Sequence, residues 1–215
     1  MSSSHQTAYL IDDDEAMRNS IAHALTKREI PARTFPSATV FLDAYEKTWR
    51  GCLVIDIRMP GMSGLELQAR LAEYDIKMPI IFITGYGNVE KAVQAMKGGA
   101  VDFLQKPFSQ RALVDCIQRA FQKDTERLSE QADLETARAL FLRLTKRELE
   151  IAQIMACRPS NASSKQIARD LGVSPRTVDH HRSRIMEKVE ARSLIEFIDV
   201  ARRAGIMGID EADRA

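Results

Sequence analysis

The first half of the chain repeats one pattern five times: a short apolar run, then a longer stretch with helical periodicity. The apolar runs are Ala8 to Ile11, Pro31 to Phe35, Cys52 to Ile55, Ile80 to Ile83 and Val101 to Leu104. Several are apolar at consecutive positions, which suits strands of a parallel sheet covered on both faces. The helical patterns span Glu15 to Lys27, Ser37 to Thr48, Gly64 to Tyr74, Val89 to Lys97 and Gln110 to Lys123. Ser37 and Ser109 stand where N-caps belong, and Gly98-Gly99 closes the fourth helix. Right-handed crossovers put helices on both faces of such a sheet. Residues 1–123 are therefore expected to form an α/β doubly wound domain on a parallel five-stranded sheet.

Residues 124–142 are polar, helix-prone and free of glycine and proline, with Leu128, Leu134 and Leu140 as a modest apolar stripe. They read as a helical linker continuing the fifth helix, or equally as a solvated tether. Residues 143–215 carry only helical patterns: Lys146 to Met155, Ser164 to Leu171, Pro175 to Val189 and Ser193 to Ala204. A small all-α domain is expected there. A length of 215 residues accommodates both domains. The apolar runs are too short to span a bilayer, and the N-terminus carries no export pattern, so a cytoplasmic protein without membrane contact is expected. Cys52, Cys116 and Cys157 have neither metal-ligand nor redox-motif spacing and read as reduced, buried thiols.

In a doubly wound sheet, ligands bind beyond the carboxyl ends of the strands. Asp12 and Asp13 follow the first strand, Asp56 the third, Thr84 the fourth and Lys106 the fifth. Three crowded carboxylates repel one another unless a hard divalent cation such as Mg²⁺ joins them. A hydroxyl from Thr84 and an ammonium from Lys106 beside that site suit an incoming phosphoryl group. Taken singly, Asp12 could be a helix cap, Thr84 a turn hydroxyl and Phe103 an ordinary core aromatic.

The strings IDDDE, DIRMPGMSGLEL, FITGYG and FLQKPF, in this order and spacing over roughly the first 120 residues, resemble the receiver domain of response regulators. The similarity points to the FixJ/NarL group and to a flavodoxin-like sheet. It implies that Asp56 is the nucleophile phosphorylated by a sensor histidine kinase. It also implies Mg²⁺ held by Asp13 and Asp56, by Asp12 through water and by the backbone carbonyl of Arg58. Thr84 and Phe103 would be the switch pair, and a cis bond before Pro107 would direct Lys106. Asp14 and Glu15 suit the start of the first helix, where acids complement the dipole.

In the second half, LTKRELEIAQIM and SSKQIARDLGVSPRTVDHHRSRIMEKV resemble a LuxR-type helix-turn-helix domain. Gly172-Val173-Ser174 reads as the turn. On the recognition helix, Val178, Ile185 and Val189 share one face, with His181 at its edge as an interior hydrogen-bonding histidine. Arg176, Thr177, Asp179, His180, Ser183 and Arg184 face outward as candidates for DNA contact. Lys165, Arg176, Arg184 and Lys188 are candidates for phosphates, and His180 and Ser183 for base edges. Adjacent His180 and His181 are not a metal pair, since neighbouring helical residues diverge by about 100°.

Two features depart from that family pattern. The segment Cys157 to Lys165 runs about three residues long, and Asp179 stands where basic residues are common. An acid there repels phosphate but can accept a hydrogen bond from cytosine N4.

These features together predict a phosphorylation-dependent regulator that binds double-stranded DNA, pairs with itself and works with RNA polymerase. The chief alternative is a phosphoacceptor adaptor whose all-α half binds protein. A phosphohydrolase acting on outside substrates is disfavoured, because no separate general base stands beside Asp56. The expected chemistry is limited to slow Mg²⁺-dependent self-phosphorylation and self-dephosphorylation.

Overall fold

Each apolar run of the first half becomes a strand of one parallel sheet: β1 (Thr7–Ile11), β2 (Ala32–Phe35), β3 (Gly51–Asp56), β4 (Ile80–Thr84) and β5 (Asp102–Gln105). Their order is β2-β1-β3-β4-β5, so the winding direction reverses between β1 and β3. The chain is seen in a computed structural model describing residues 6–85, 89–158 and 163–206. It divides into two compact units, Met1–Arg127 and Leu128–Ala215.

Alternation along the strands fills two cores, one on each face of the sheet. Tyr9, Ile11, Leu53, Ile55 and Phe82 face α2 (Ala38–Ala44) and α3 (Gly64–Arg70), packing with Phe41 and Leu67. Ala8, Leu10, Cys52, Val54, Ile81 and Ile83 face α1 (Glu15–Thr26) and α5 (Gln110–Leu142), packing with Ile21, Leu25, Leu113 and Ile117. Full burial of each such aliphatic side chain contributes about 1.5–3 kcal/mol. The sheet is thus covered on both sides, as consecutive apolar positions required.

Helix starts follow their capping residues. Asp14, Ser37 and Ser63 accept backbone N–H bonds at the heads of α1, α2 and α3, and the Ser109 hydroxyl accepts from Ala112. α4 (Val89–Lys97) gives way to Gly98-Gly99, where Gly99 is left-handed at φ 92°. α2 is shorter than the expected Ser37 to Thr48. Tyr45 turns extended, which allows Trp49 to stack on Tyr9 with ring centroids 4.6 Å apart. The stretch Leu71–Tyr74, expected within one helix from Gly64, tightens into a 3₁₀ turn.

Residues 124–142, expected as a linker, are the C-terminal part of α5. Asp124 is fully buried in the first unit, whereas Ala137 and Phe141 enter the core of the second. Among its described residues the second unit is helical: after α5 come α6 (Lys146–Cys157), α7 (Ser164–Leu171), α8 (Pro175–Lys188) and α9 (Leu194–Arg203). Its core gathers Ile151, Met155, Ile167, Val178, Ile185, Val189 and Phe197. Of the long segment between α6 and α7, residues 159–162 lie outside the described part. Cys52 and Cys116 are buried, but Cys157 is exposed, correcting the expectation that all three lie inside; it ends α6, where the chain leaves the core. No helix among the described residues is long and apolar enough to cross a membrane.

Candidate functional site

The reversal between β1 and β3 opens a crevice at the strand ends, and the sheet register fixes what lines it. Ile11 pairs with Ile55, and Asp56 with Ile83, so Asp12 and Asp56 leave neighbouring strands side by side. Oxygens of Asp12, Asp13 and Asp56 all lie within 4.8 Å of one another. Asp12 and Asp56 are buried and Asp13 is exposed. Lys106 reaches across from the end of β5, with Nζ 3.1 Å from Asp12 Oδ2 and 3.2 Å from Asp56 Oδ1. The peptide bond from Lys106 to Pro107 is cis, and the Lys106 N–H donates to the Thr84 carbonyl at 2.7 Å.

The two buried carboxylates are held by the backbone as well. The Arg58 N–H donates to Asp56 Oδ2 at 3.1 Å, and the Asp14 N–H donates to Asp12 Oδ1 at 2.9 Å. Gly64 begins α3 against this strand end; a Cβ there would sit 2.4 Å from the Asp56 carbonyl oxygen. Burial pushes the Asp56 carboxyl above the ordinary carboxylate value, with Lys106 opposing the shift and Asp12 adding to it. Burial alone would lower the Lys106 ammonium. Its hydrogen bond to Asp12 and the charges of Asp56 and Asp12 outweigh that, and its pKa is raised.

One ammonium faces three carboxylates, so a hard dication fits the surplus of negative charge, and the donors are all oxygen. The Thr84 hydroxyl donates to the Gly85 carbonyl at 3.2 Å, and Phe103 is 42% exposed.

In the second unit, Gly172 ends α7 in the left-handed conformation at φ 65°, and Ser174 caps α8 with Pro175 next. Val178, Ile185 and Val189 are buried, while Arg176, Thr177, Asp179, His180, Ser183 and Arg184 are exposed, as is Lys165 on α7. Lys188 departs from its expected outward role: its ammonium lies 2.6 Å from Glu148, which is almost wholly buried at the start of α6. A long side chain at a helix end can turn toward a buried acid on the neighbouring helix. His181 is half-buried, but its Nδ1 has no hydrogen-bond partner among the described residues, correcting the expected bonded histidine.

Residues 8–118 match the response regulator receiver domain, and residues 142–201 match the luxR family of bacterial regulatory proteins. The chain is a response regulator. It is 40% identical to the transcriptional regulatory protein FixJ of Azorhizobium caulinodans over 95% of each chain. It is 39% identical to the transcriptional regulatory protein TdiR of Thauera aromatica over 89% of this chain and 85% of the relative. Among solved structures, the response regulator StyR aligns with a TM-score of 0.78 at 37% identity, covering 93% of this chain and 99% of StyR. Full-length FixJ from B. japonicum aligns at 0.58 and 37% identity, covering 96% and 100%. The adaptor alternative gives way to the DNA-binding reading, since the second unit is a LuxR-type domain and these relatives regulate transcription.

Some supports of this response regulator were not read from its sequence. Arg18 donates to the Asp12 carbonyl at 2.6 Å, tying α1 to the acidic crevice. No sequence pattern announces that bond. Glu148 did carry a signal: Thr145 and Glu148 have capping-box spacing, and both reciprocal bonds form. Its ion pair with Lys188 is long-range and needed the fold.

Proposed function

We propose that Asp56 accepts a phosphoryl group from the phosphohistidine of a sensor histidine kinase, and that its phosphorylation controls binding of α8 to promoter DNA. The observation that carries this reading is Lys106 Nζ at 3.1 and 3.2 Å from Asp12 and Asp56. Asp13 and Asp56 would hold Mg²⁺ directly, Asp12 through water, with the Arg58 carbonyl as a further ligand. Bound there, the ion supplies neutralisation of charge on the transferring phosphoryl group.

The protein's own groups do the rest. An Asp56 oxygen bonds to phosphorus as the bond to the histidine nitrogen breaks, and the histidine keeps that electron pair. Lys106 neutralises one phosphoryl oxygen. The Thr84 hydroxyl then leaves the Gly85 carbonyl to donate to another, and Phe103 turns into the space vacated. With no separate general base at the site, the chemistry is limited to slow self-phosphorylation from small phosphodonors and slow hydrolysis.

Phosphorylation adds about −1.5 to −2 charges at neutral pH, ample to draw a hydroxyl across a crevice. Receivers would then pair through α4 and β5, where Val93, Met96 and Phe103 are exposed. The side chain of Val89, also expected there, lies outside the described residues. DNA-bound pairs would engage RNA polymerase, in the cytoplasm where that DNA lies. Lys165, Arg176 and Arg184 would meet phosphates, and Thr177, Asp179, His180 and Ser183 the bases.

The test is labelling with a small phosphodonor and Mg²⁺, borohydride trapping and mass spectrometry. The label is expected on Asp56 and absent in Asp56→Asn; undiminished labelling of that variant overturns the assignment.

A further inference from the structure

One hydrogen bond joins the start of α7 to the recognition helix α8. Ser164 is the first residue of α7. Its hydroxyl donates to Asp179 Oδ1 on α8. One turn further, the Ser183 hydroxyl donates to the Asp179 carbonyl at 3.1 Å. Asp179 and Ser183 are both exposed, with His180 exposed between them.

The consequence is a matter of donors and acceptors. An ionised carboxylate is acceptor-only, and a serine offers only lone pairs for as long as its proton stays on the carbonyl. The outward centre of α8 therefore presents two neighbouring acceptors. In the major groove, the base atoms that can donate to them are cytosine N4 and adenine N6. Guanine offers N7 and O6 there and thymine O4, all acceptors, and a carboxylate facing them would lose water without a partner.

We infer that Asp179, oriented by Ser164 and flanked by Ser183, makes this helix select base amino groups, cytosine foremost, at one operator position per half-site. This rests on the DNA-binding role of α8 proposed above. Discrimination here is mostly exclusion. The carboxylate adds no attraction to the phosphate backbone and penalises every site that lacks an amino donor. Ser164 is a positioning residue: it touches no DNA and sharpens the choice by holding one carboxylate rotamer.

The test is competition binding of the full-length protein, activated with beryllofluoride, against a duplex library randomised across the operator. The wild type is expected to prefer cytosine, then adenine, over guanine and thymine at one position per half-site, by roughly five- to a hundred-fold. Asp179→Ala should erase that preference while leaving the other positions as they were. Asp179→Asn keeps the shape and still accepts from Ser164, and should shift the preference toward adenine, which an amide can bond at N6 and N7. Ser164→Ala should keep cytosine first but narrow its margin.

An unchanged base profile in both Asp179 variants, with sequence-specific binding retained, overturns this inference and leaves Asp179 as a tether between α7 and α8. Absence of any sequence preference in the wild type overturns the DNA-binding reading itself, and this inference with it.

Discussion

Lys188, the last residue of α8, places its ammonium 2.6 Å from the carboxylate of Glu148 in the first turn of α6. Glu148 also accepts from the Thr145 N–H at 2.8 Å, so one buried carboxylate ties the start of α6 to the end of the recognition helix α8. Lys188→Ala would leave that acid buried without its charge partner. Such a loss costs about 3–5 kcal/mol for fully buried pairs, and the lower end applies because the Lys188 side chain is 32% exposed. Denaturant unfolding of the full chain, with hydrogen exchange read in α6 and α8, should show the second unit weakened and the first unchanged. The salt dependence of DNA binding should keep its slope in protein that remains folded. A slope lower by one unit would return Lys188 to the phosphates.

The same carboxylate sets an acid limit. The hydrogen bond from Lys188, opposed by burial and helped by the bonds at Thr145, lowers the Glu148 pKa from 4.5 to about 2. A depressed carboxyl stabilises the fold above its unfolded value, and that contribution disappears as pH falls through the folded value. The second unit should therefore lose on the order of 3 kcal/mol between about pH 4.5 and pH 2. Glu148→Gln should be weaker at neutral pH and nearly flat across that window. Hydrogen exchange in α6 against pH checks both; a variant as steep as the wild type would remove Glu148 as the cause.

Local patterns carried the fold, and long-range partners did not appear in them. The strands were legible because apolar side chains recur on both faces, and Asp12, Asp56, Thr84 and Lys106 because each stands at a strand end. Asp124 opens the polar stretch whose composition suggests a linker. It is fully buried, accepting from the Gly51 N–H at 3.0 Å and from Arg127 at 2.8 Å. An acid in a polar helix looks solvated until the far strand it serves is known. The Lys188–Glu148 ion pair is hidden from the sequence for the same reason: helical spacing gives the direction of a Cβ, not the end point of a flexible side chain.

Asp13 is the exposed member of the acidic cluster, outside both Lys106 contacts. Asp13→Asn should therefore weaken Mg²⁺ affinity, because it removes an anionic oxygen from the donor set, while thermal stability without metal barely changes. Magnetic-resonance titration with Mg²⁺ measures the first and a melting curve the second. Equal Mg²⁺ affinity in wild type and variant would take Asp13 out of the ligand set.

Val93 and Met96 lie exposed on α4, and Phe103 on β5, without the packing that apolar groups of this size normally find. Met96→Glu should leave phosphorylation of Asp56 intact while placing charge in the proposed pairing surface. Sedimentation with beryllofluoride at tens of micromolar is expected to show a dimer for the wild type and a monomer for the variant. A wild type that stays monomeric there sinks pairing through this face.

Arg184 is the remaining test of how α8 lies in its groove. It is exposed four residues before Lys188, and among the described residues no ion pair ties its guanidinium within the domain. A guanidinium so placed can meet a phosphate, and each phosphate neutralised releases counterions. Arg184→Ala should accordingly weaken binding to every sequence alike and lower the magnitude of the salt slope by roughly one unit. His180, at the centre of the outward face, should behave in the opposite way. Its replacement by Ala should alter which operator is preferred, by about 1–3 kcal/mol for a good base contact, with the salt slope kept. Binding isotherms at several salt concentrations, run with the randomised library, separate the two effects. If Arg184→Ala reorders sequence preference while His180→Ala changes only the slope, the helix is turned about its axis relative to the orientation proposed.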